Sequence, residues 1–307
     1  MLASAAIVFP VFGLIALGYG ARFFRVLDDQ MGESLSRFVF TMAIPSLLFA
    51  TIARSEIPEV DPWAYLGVYF FALAVVWLVA DQVSRRIAGD GHAGAVVTGF
   101  SAAQSNLVLV GVPLIISAYG PAAAAPLFLL VGVHLPVTLT TATLLLEGRE
   151  ASFVRILGKL ARHPIILALL AGSAMRLSGL DLPAPLWRLL EILGGAAVPG
   201  ALVATGVALF RYGLEAGWRM PALVAVLKLM VQPAIVYVLV FHVVTLPPVW
   251  AATAVLLAAC PTGVNAYLLA QSYREGVALA SGCVFLTTVL AMFSTAVWIA
   301  IIGVPAP

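Results

Sequence analysis

Two short runs in this chain combine residues that break helices with residues that can hold an anion. One is NLVLVGVP, with Asn106, Gly111 and Pro113; the other is PTGVN, with Pro261, Thr262, Gly263 and Asn265. Proline removes a backbone hydrogen bond and its ring crowds the preceding turn, and glycine lowers helix stability. Yet both runs lie inside long apolar segments. A helix broken in mid-segment starts a second half-helix, whose first N–H groups are unpaired and carry roughly half a positive charge. Two such ends brought together attract an anion without any formal charge. Asn106 and Asn265 add amides that both donate and accept hydrogen bonds.

Lys228 is the one Lys or Arg well inside an apolar segment. A charge at membrane depth is a functional hypothesis by default. It also lies about eight residues into its segment, so a side chain snorkelling to the nearer surface is an equal alternative. His134 and His242 read as helix-packing residues. Gln104, Ser105 and Gln271 flank the breaks and fit either packing or a site lining.

Other chemistry finds little purchase. No Asp or Glu lies in the middle of an apolar segment; Asp81 and Glu191 sit near segment ends, so no carboxylate pair for sodium or proton binding is visible. H-E-x-x-H and G-x-S-x-G are absent, which argues against a membrane-embedded enzyme. Cys260 and Cys283 read as small buried hydrophobes, with neither a disulfide nor a metal site expected. No cofactor is expected, and a net charge of +2 gives no sign of nucleic-acid binding.

The elements that must hold the two runs follow from composition. The apolar fraction is 63 % and the charged fraction 10 %, against roughly 45–50 % and ~25 % for soluble domains. Mean hydropathy is +1.09. These values indicate a polytopic, all-helical membrane protein. Apolar runs at 2–21, 35–53, 63–83, 93–118, 122–146, 160–179, 187–210, 220–243, 248–271 and 277–302 predict ten spans of about 20 residues each. The N-terminal run has its positive charges, Arg22 and Arg25, after it, so it is expected to be a first span and not a cleaved signal.

Charge placement orients the spans. Connections after odd-numbered spans hold twelve basic residues: Arg22, Arg25, Arg37, Arg85, Arg86, Arg149, Arg155, Lys159, Arg162, Arg211, Arg219 and Arg274. Connections after even-numbered spans hold three: Arg54, Arg176 and Arg188. Both termini are therefore expected outside the cytoplasm.

The prolines and glycines repeat. Pro10, Gly18, Arg22 and Pro45 find Pro164, Gly172, Arg176 and Pro199 each 154 residues later, and Asn106 and Asn265 are 159 apart. Residues 1–146 and 160–307 thus read as two five-span repeats joined by a cytoplasmic connection, 147–159. Five being odd, the second repeat enters from the opposite side. Inverted repeats with a mid-membrane site are the architecture of many secondary transporters. Pro45, Pro136, Pro199 and Pro233 lack a partnered polar context and read as structural kinks.

NLVLVGVP, with its Asn-x4-Gly-x-Pro spacing over Asn106, Gly111 and Pro113, resembles the auxin efflux carrier family. So do PTGVNAYLLA (Pro261, Asn265, Ala270), SRFVFTMAIPSLLFA in span 2 and KLMVQP in span 8. The resemblance runs over essentially the whole chain. The family includes plant PIN-type auxin carriers and bacterial permeases associated with malate. It implies a ten-helix fold like that of bile-acid and sodium/proton transporters. Spans 1, 2, 6 and 7 would form a scaffold, with a homodimer through it as a further expectation. Spans 3–5 and 8–10 would form a transport domain, with spans 4 and 9 crossing at their prolines. The short link between the halves favours the bacterial branch and an inner-membrane location. The resulting expectation is an alternating-access carrier for a small organic anion, a carboxylate such as malate or an auxin-like acid, with an anion channel as the alternative. Asn106, Gly111, Pro113, Pro261, Thr262, Gly263 and Asn265 would bind substrate, and Lys228 would contribute electrostatically.

Overall fold

The computed structural model describes residues 2–54, 60–148, 158, 162–215 and 217–303. Among them the chain is helical, with no strand and one isolated antiparallel bridge. The middle of the 147–159 connection lies outside the described residues.

In chain order the helices are α1 (Leu2–Phe23), α2 (Asp29–Arg54), α3 (Pro62–Ala88), α4 (His92–Ala103), α5 (Val112–Tyr119), α6 (Ala124–Glu147), α7 (Pro164–Ser178), α8 (Ala184–Leu209), α9 (Arg219–Val243), α10 (Pro248–Ala258), α11 (Asn265–Tyr273) and α12 (Val277–Ile302). Seven helical segments are long and apolar enough to cross a membrane, the stretch from Leu107 to Glu147 counting as one; Pro164–Ser178 and Pro248–Ala258 are apolar but shorter. This is a multi-pass membrane protein.

Local chemistry sets the boundaries. Asp28 caps α2 by accepting from the Met31 amide at 2.7 Å, and Asp61 caps α3 by accepting from Trp63 at 3.0 Å, with Pro62 in the first turn. α7 ends on Gly179, which takes the left-handed conformation a side chain would strain. Three interior prolines are absorbed by widening, though Pro10 within α1 is not. The π turns Val39–Ala43, Leu107–Gly111 and Leu227–Val231 each end two residues before a proline: Pro45, Pro113 and Pro233. Proline can neither donate to the fourth carbonyl before it nor sit comfortably against it, and a locally wider helix relieves both problems. Pro136 lies within α6 with no such interruption.

Two helix breaks are present. The second falls at Pro261 and Gly263, as expected. The first lies at Gln104–Asn106, ahead of Gly111 and Pro113, which sit in continuing helix because the π turn accommodates the proline. α4 stops at Ala103 and helix resumes at Leu107; α10 stops at Ala258 and α11 starts at Asn265. The broken helices occupy the centre of the molecule. Every residue from Ala95 to Ala103 and from Trp250 to Pro261 is buried, so lipid never meets the interrupted backbone. Around them, α1 packs against α8 and α2 against α7 through glycines that admit direct backbone contact. A Cβ on Gly18 would run into the Val203 carbonyl, one on Gly206 into the Ile15 carbonyl, and one on Gly172 would come within 3.1 Å of the Phe49 carbonyl. Outward residues such as Phe9, Leu17, Leu170 and Leu177 are exposed and apolar, as a lipid-facing surface requires.

Candidate substrate site at the paired helix breaks

The two breaks hold each other. The Asn106 amide donates to the Pro261 carbonyl at 2.8 Å, and the Gly263 amide donates to the Gln104 carbonyl at 2.8 Å, closing the bridge between Ser105 and Thr262. Backbone groups freed by one broken helix are thus satisfied by the other. Glycine at 263 permits this approach, since a Cβ there would lie 3.2 Å from the Ser105 carbonyl oxygen. Gly111 serves a second close contact: its Cβ would come within 2.9 Å of the Leu257 side chain on α10.

The register differs from the 159-residue spacing read in the sequence. The reciprocal bonds equate Gln104–Asn106 with Pro261–Gly263, so Asn106 has Gly263 as its geometric counterpart. The backbone pairing sets this register, and Asn265 falls two residues further on. The two asparagines accordingly do different things. Asn106 is buried and caps the resumed helix, its Oδ1 accepting from the Leu109 amide at 3.2 Å. Asn265 is half-buried in the first turn of α11, and its amide has no partner among the described residues.

Behind the crossing lies a buried polar cluster. Lys228, fully buried on the widened turn of α9, donates to Gln232 Oε1 at 2.6 Å, Ser105 Oγ at 2.7 Å and the Ala258 carbonyl at 2.8 Å. The ammonium's three donors are all used. The side chain therefore points at the crossing, and snorkelling does not describe it. Its contact with Ala258 sets positive charge on the carboxyl end of half-helix α10, where the dipole is negative. Ser105 is the hub: its Oγ also meets the Tyr69 hydroxyl at 3.1 Å, and its amide donates to His134 Nε2 at 3.2 Å. That places the proton of a neutral His134 on Nδ1, a buried nitrogen with no partner among the described residues.

Two cavities meet at the crossing. The larger, about 460 Å³, is lined by Asn106, Val264, Tyr267 and Gln271 on one wall and by Phe40, Thr205 and Arg211 on the other. A smaller one of about 60 Å³ is lined by Gln104, Ser105, Asn106, Gly263 and Asn265 together with His134 and His163. The expected site residues thus divide. Asn106 lines both cavities, and Gly263 and Asn265 line the smaller. Gly111, Pro113, Pro261 and Thr262 line neither. Thr262 is buried and fully used, donating from its hydroxyl to the Ser101 carbonyl at 2.9 Å and from its amide to Thr287 Oγ1 at 2.9 Å. Its role is to hold the crossing together.

Tyr69, Gln232, Thr205 and Arg211 went unforeseen. Gln232 follows Lys228 by four, the spacing that puts two side chains on one helix face, so it was within reach of the sequence. Tyr69 and Thr205 carry no such signal. Among the described residues no cluster of three or more His, Cys, Asp or Glu could hold a metal.

Comparison with known proteins agrees with this picture. A family described as "Membrane transport protein" matches residues 4–156 and 149–299. A "Putative malonate transporter" of Rhizobium meliloti (strain 1021) is 31 % identical over 306 residues, covering 93 % of this chain and 92 % of the relative. An "Uncharacterized transporter" of Methanothermobacter thermautotrophicus is 28 % identical over 311 residues, covering 96 % and 97 %. With both helix breaks and their flanking motifs in place, the chain belongs to the auxin efflux carrier family of membrane transport proteins.

Proposed function

We propose that this protein is a secondary carrier that moves a small organic anion, a carboxylate, by alternating access. The observation that carries the reading is the cavity of about 460 Å³ that ends on Asn106 and Val264 at the paired helix breaks. Its size falls in the ordinary range for small-molecule sites. Its hydroxyls and amides, from Ser36, Thr205, Tyr267, Gln271 and Thr288, suit a hydroxylated or short carboxylate. The carboxylate would sit at Asn106, Gly263 and Asn265. Gly111, Pro113, Pro261 and Thr262 would shape the breaks, and Lys228 would keep the crossing electropositive. A relative named for malonate supports a small carboxylate as cargo.

In this reading α4 with α5, and α10 with α11, each make one crossing, giving ten spans in two inverted repeats. The glycine contacts support it: Gly18 meets Val203 while Gly172 meets Phe49, and each member of one pair lies 154 positions from its counterpart in the other. Helices α1, α2, α7 and α8 would be the scaffold, and the remainder the moving domain. The cavity lies between those groups. A second cavity of about 510 Å³, also lined by α2 and α8, ends at Ile116 and Pro121 and shares no lining residue with the first. Access from one side only favours a carrier over an anion channel.

The side open to the crossing would be the cytoplasmic one, with both termini outside. Contacts between distant connections support this. Arg211 meets Glu33, and Tyr273 meets Glu147, joining ends that follow odd-numbered spans; Tyr119 meets Gly303, joining ends of even-numbered spans. Reporter fusions at the C-terminus are expected to be active only outside the cytoplasm.

The deciding experiment is a thermal-shift screen of purified protein with mono- and dicarboxylates, with and without sodium and at two pH values. Counterflow in proteoliposomes follows. A saturable, sodium-independent response to a carboxylate is expected. A flux that does not saturate would favour the channel, and no response to any organic anion would overturn the reading.

A further inference from the structure

The inner cavity has two chemically distinct ends. At the crossing, the attraction for an anion comes from amides and helix ends. At the mouth stands Arg211, just past the end of α8, the one cationic side chain among the described residues that line the cavity. Resting on the carboxylate-carrier reading above, we propose that Arg211 is a second carboxylate subsite, and that the carrier therefore prefers ligands with two carboxylates to those with one.

The ion pairs at the mouth show how the guanidinium could be released. Asp29 is already committed: Arg22 grips it with two bonds, Nε to Oδ1 at 2.8 Å and Nη2 to Oδ2 at 3.2 Å. Asp29 also lies in the first turn of α2, where the helix dipole favours its charge. Arg211 reaches the same carboxylate only with Nε at 3.2 Å, and spends Nη2 on the Asp29 carbonyl at 3.0 Å. These bonds anchor the guanidinium at the cavity wall. Its Nη1 points instead to Glu33 Oε1 at 2.8 Å. The Glu33 side chain is 69 % exposed, against 44 % for Asp29.

An exposed, single-bonded pair of this kind contributes little and is readily exchanged. Releasing Glu33 to water strands no buried charge. Glu33 thus acts as a tethered stand-in, a carboxylate that occupies Nη1 until one from the ligand replaces it. A dicarboxylate seated at Asn106 would hold Arg211 with its far end. A monocarboxylate would leave the Glu33 pair undisturbed and gain nothing from it. The cavity would narrow specificity by length as well as charge, because one end is held by the paired helix breaks and the other by the bonds of Arg211 to Asp29.

The test measures affinity of the purified full-length protein for malonate and succinate against propionate and butyrate, by calorimetry. Arg211→Gln is expected to weaken dicarboxylate binding roughly tenfold or more, the worth of one charge-assisted hydrogen bond, and to leave monocarboxylate binding within about twofold. Glu33→Gln, which removes the competitor and keeps the shape, is expected to tighten dicarboxylate binding. Parallel losses for both ligand classes in Arg211→Gln, or no loss in either, would overturn the proposal. Should Arg211→Gln not fold, weaker or unchanged dicarboxylate binding in Glu33→Gln overturns it alone. A wild-type protein that binds monocarboxylates as tightly as dicarboxylates sinks the second subsite but spares the carrier; one that binds neither sinks both.

Discussion

Two crossings organise this molecule, and they are built on opposite principles. Where α1 meets α8 and α2 meets α7, glycines bring backbone against backbone, and the contacts repeat at a constant 154-residue spacing: Gly18 on Val203, Gly172 on Phe49. Where the broken helices meet, the backbone pairing is again reciprocal, but the side chains are not. Asn106 caps its helix, while Gly263 stands in the equivalent place. Lys228 sits on the carboxyl end of α10, whereas α4 is followed by Gln104, whose Oε1 accepts from the Thr138 hydroxyl at 2.7 Å. Close packing tolerates few alternatives at the glycines, so Gly18 and Gly172 match, while the backbones they meet, at Val203 and Phe49, carry different side chains. Under the proposed function the crossing of the broken helices would handle one asymmetric ligand, and there the two sides of the pairing differ.

The glycine crossing should be the less forgiving of the two. Gly206→Leu would drive a side chain into the Ile15 carbonyl and the Tyr19 amide, contacts that rotamer changes cannot relieve. No monodisperse protein is expected from it in detergent. Gly13→Ala, on the facing helix α1 with nothing within 4 Å of the new Cβ, is expected to behave as wild type. Equal yields from the two would mean that backbone contact does not hold these helices together.

Next in size is the cost of losing the asymmetric charge. Lys228→Met keeps much of the volume but leaves the Ala258 carbonyl, Ser105 and Gln232 short of a donor. Each unpaired buried group costs about 1–3 kcal/mol. Uptake into proteoliposomes is expected to fall at least about tenfold, and by more than the protein yield falls. Lys228→Arg should not rescue it, since a planar guanidinium does not replace a compact ammonium among three oxygens. Wild-type kinetics in Lys228→Met would make the cluster mere packing.

Much of this was legible in the sequence. Pro261 and Gly263 gave away the second break, which falls where they stand. Gly111 and Pro113 marked the first only approximately, because a π turn carries the helix through them and the break comes earlier, at Gln104–Asn106. The 154-residue spacing linked Gly18 with Gly172, but the backbone each of them meets came only from the structure. The register of the crossing was not legible. It depends on which amide meets which carbonyl, and residue spacing carries that only to within a residue or two, so Asn265 was matched with Asn106. The direction of the Lys228 side chain was equally hidden, since reaching the surface and reaching Ser105 need the same residue at the same depth. Arg211 looked like one more basic residue in a cytoplasmic connection.

The asparagines separate the two roles at the crossing. Asn106→Leu removes a cap and a cavity wall together, so both melting temperature and carboxylate affinity are expected to drop. Asn265→Leu removes an amide with no partner among the described residues, so affinity alone should fall. Losing one or two hydrogen bonds to ligand corresponds to a roughly 5- to 150-fold change. Calorimetry beside thermal melts distinguishes the cases. Normal affinity in both variants would remove the crossing as the binding site.

The smallest effect is expected where charge decorates the glycine-packed half. Arg54 at the end of α2 bonds Glu191 of α8 at 2.8 Å, with both side chains nearly half exposed. Arg188 adds a looser contact with Glu191 at 3.6 Å. The pair borders the second cavity, the one that stops short of the crossing. Water and salt screen such a pair, and the long side chains lose entropy in holding it. Arg54 has a second hold, its guanidinium lying 4.0 Å from the centroid of the Trp187 ring. In Glu191→Gln it should therefore stay where it is. Carboxylate affinity in that variant is expected to match wild type, and the melting temperature to stay within the scatter of the measurement. The same exchange of charge for amide at Arg211 is expected to cost roughly tenfold in dicarboxylate binding. If Glu191→Gln weakened binding as much as Arg211→Gln does, the second cavity would also lead to ligand, and the division between a packed half and a binding half would have to be abandoned.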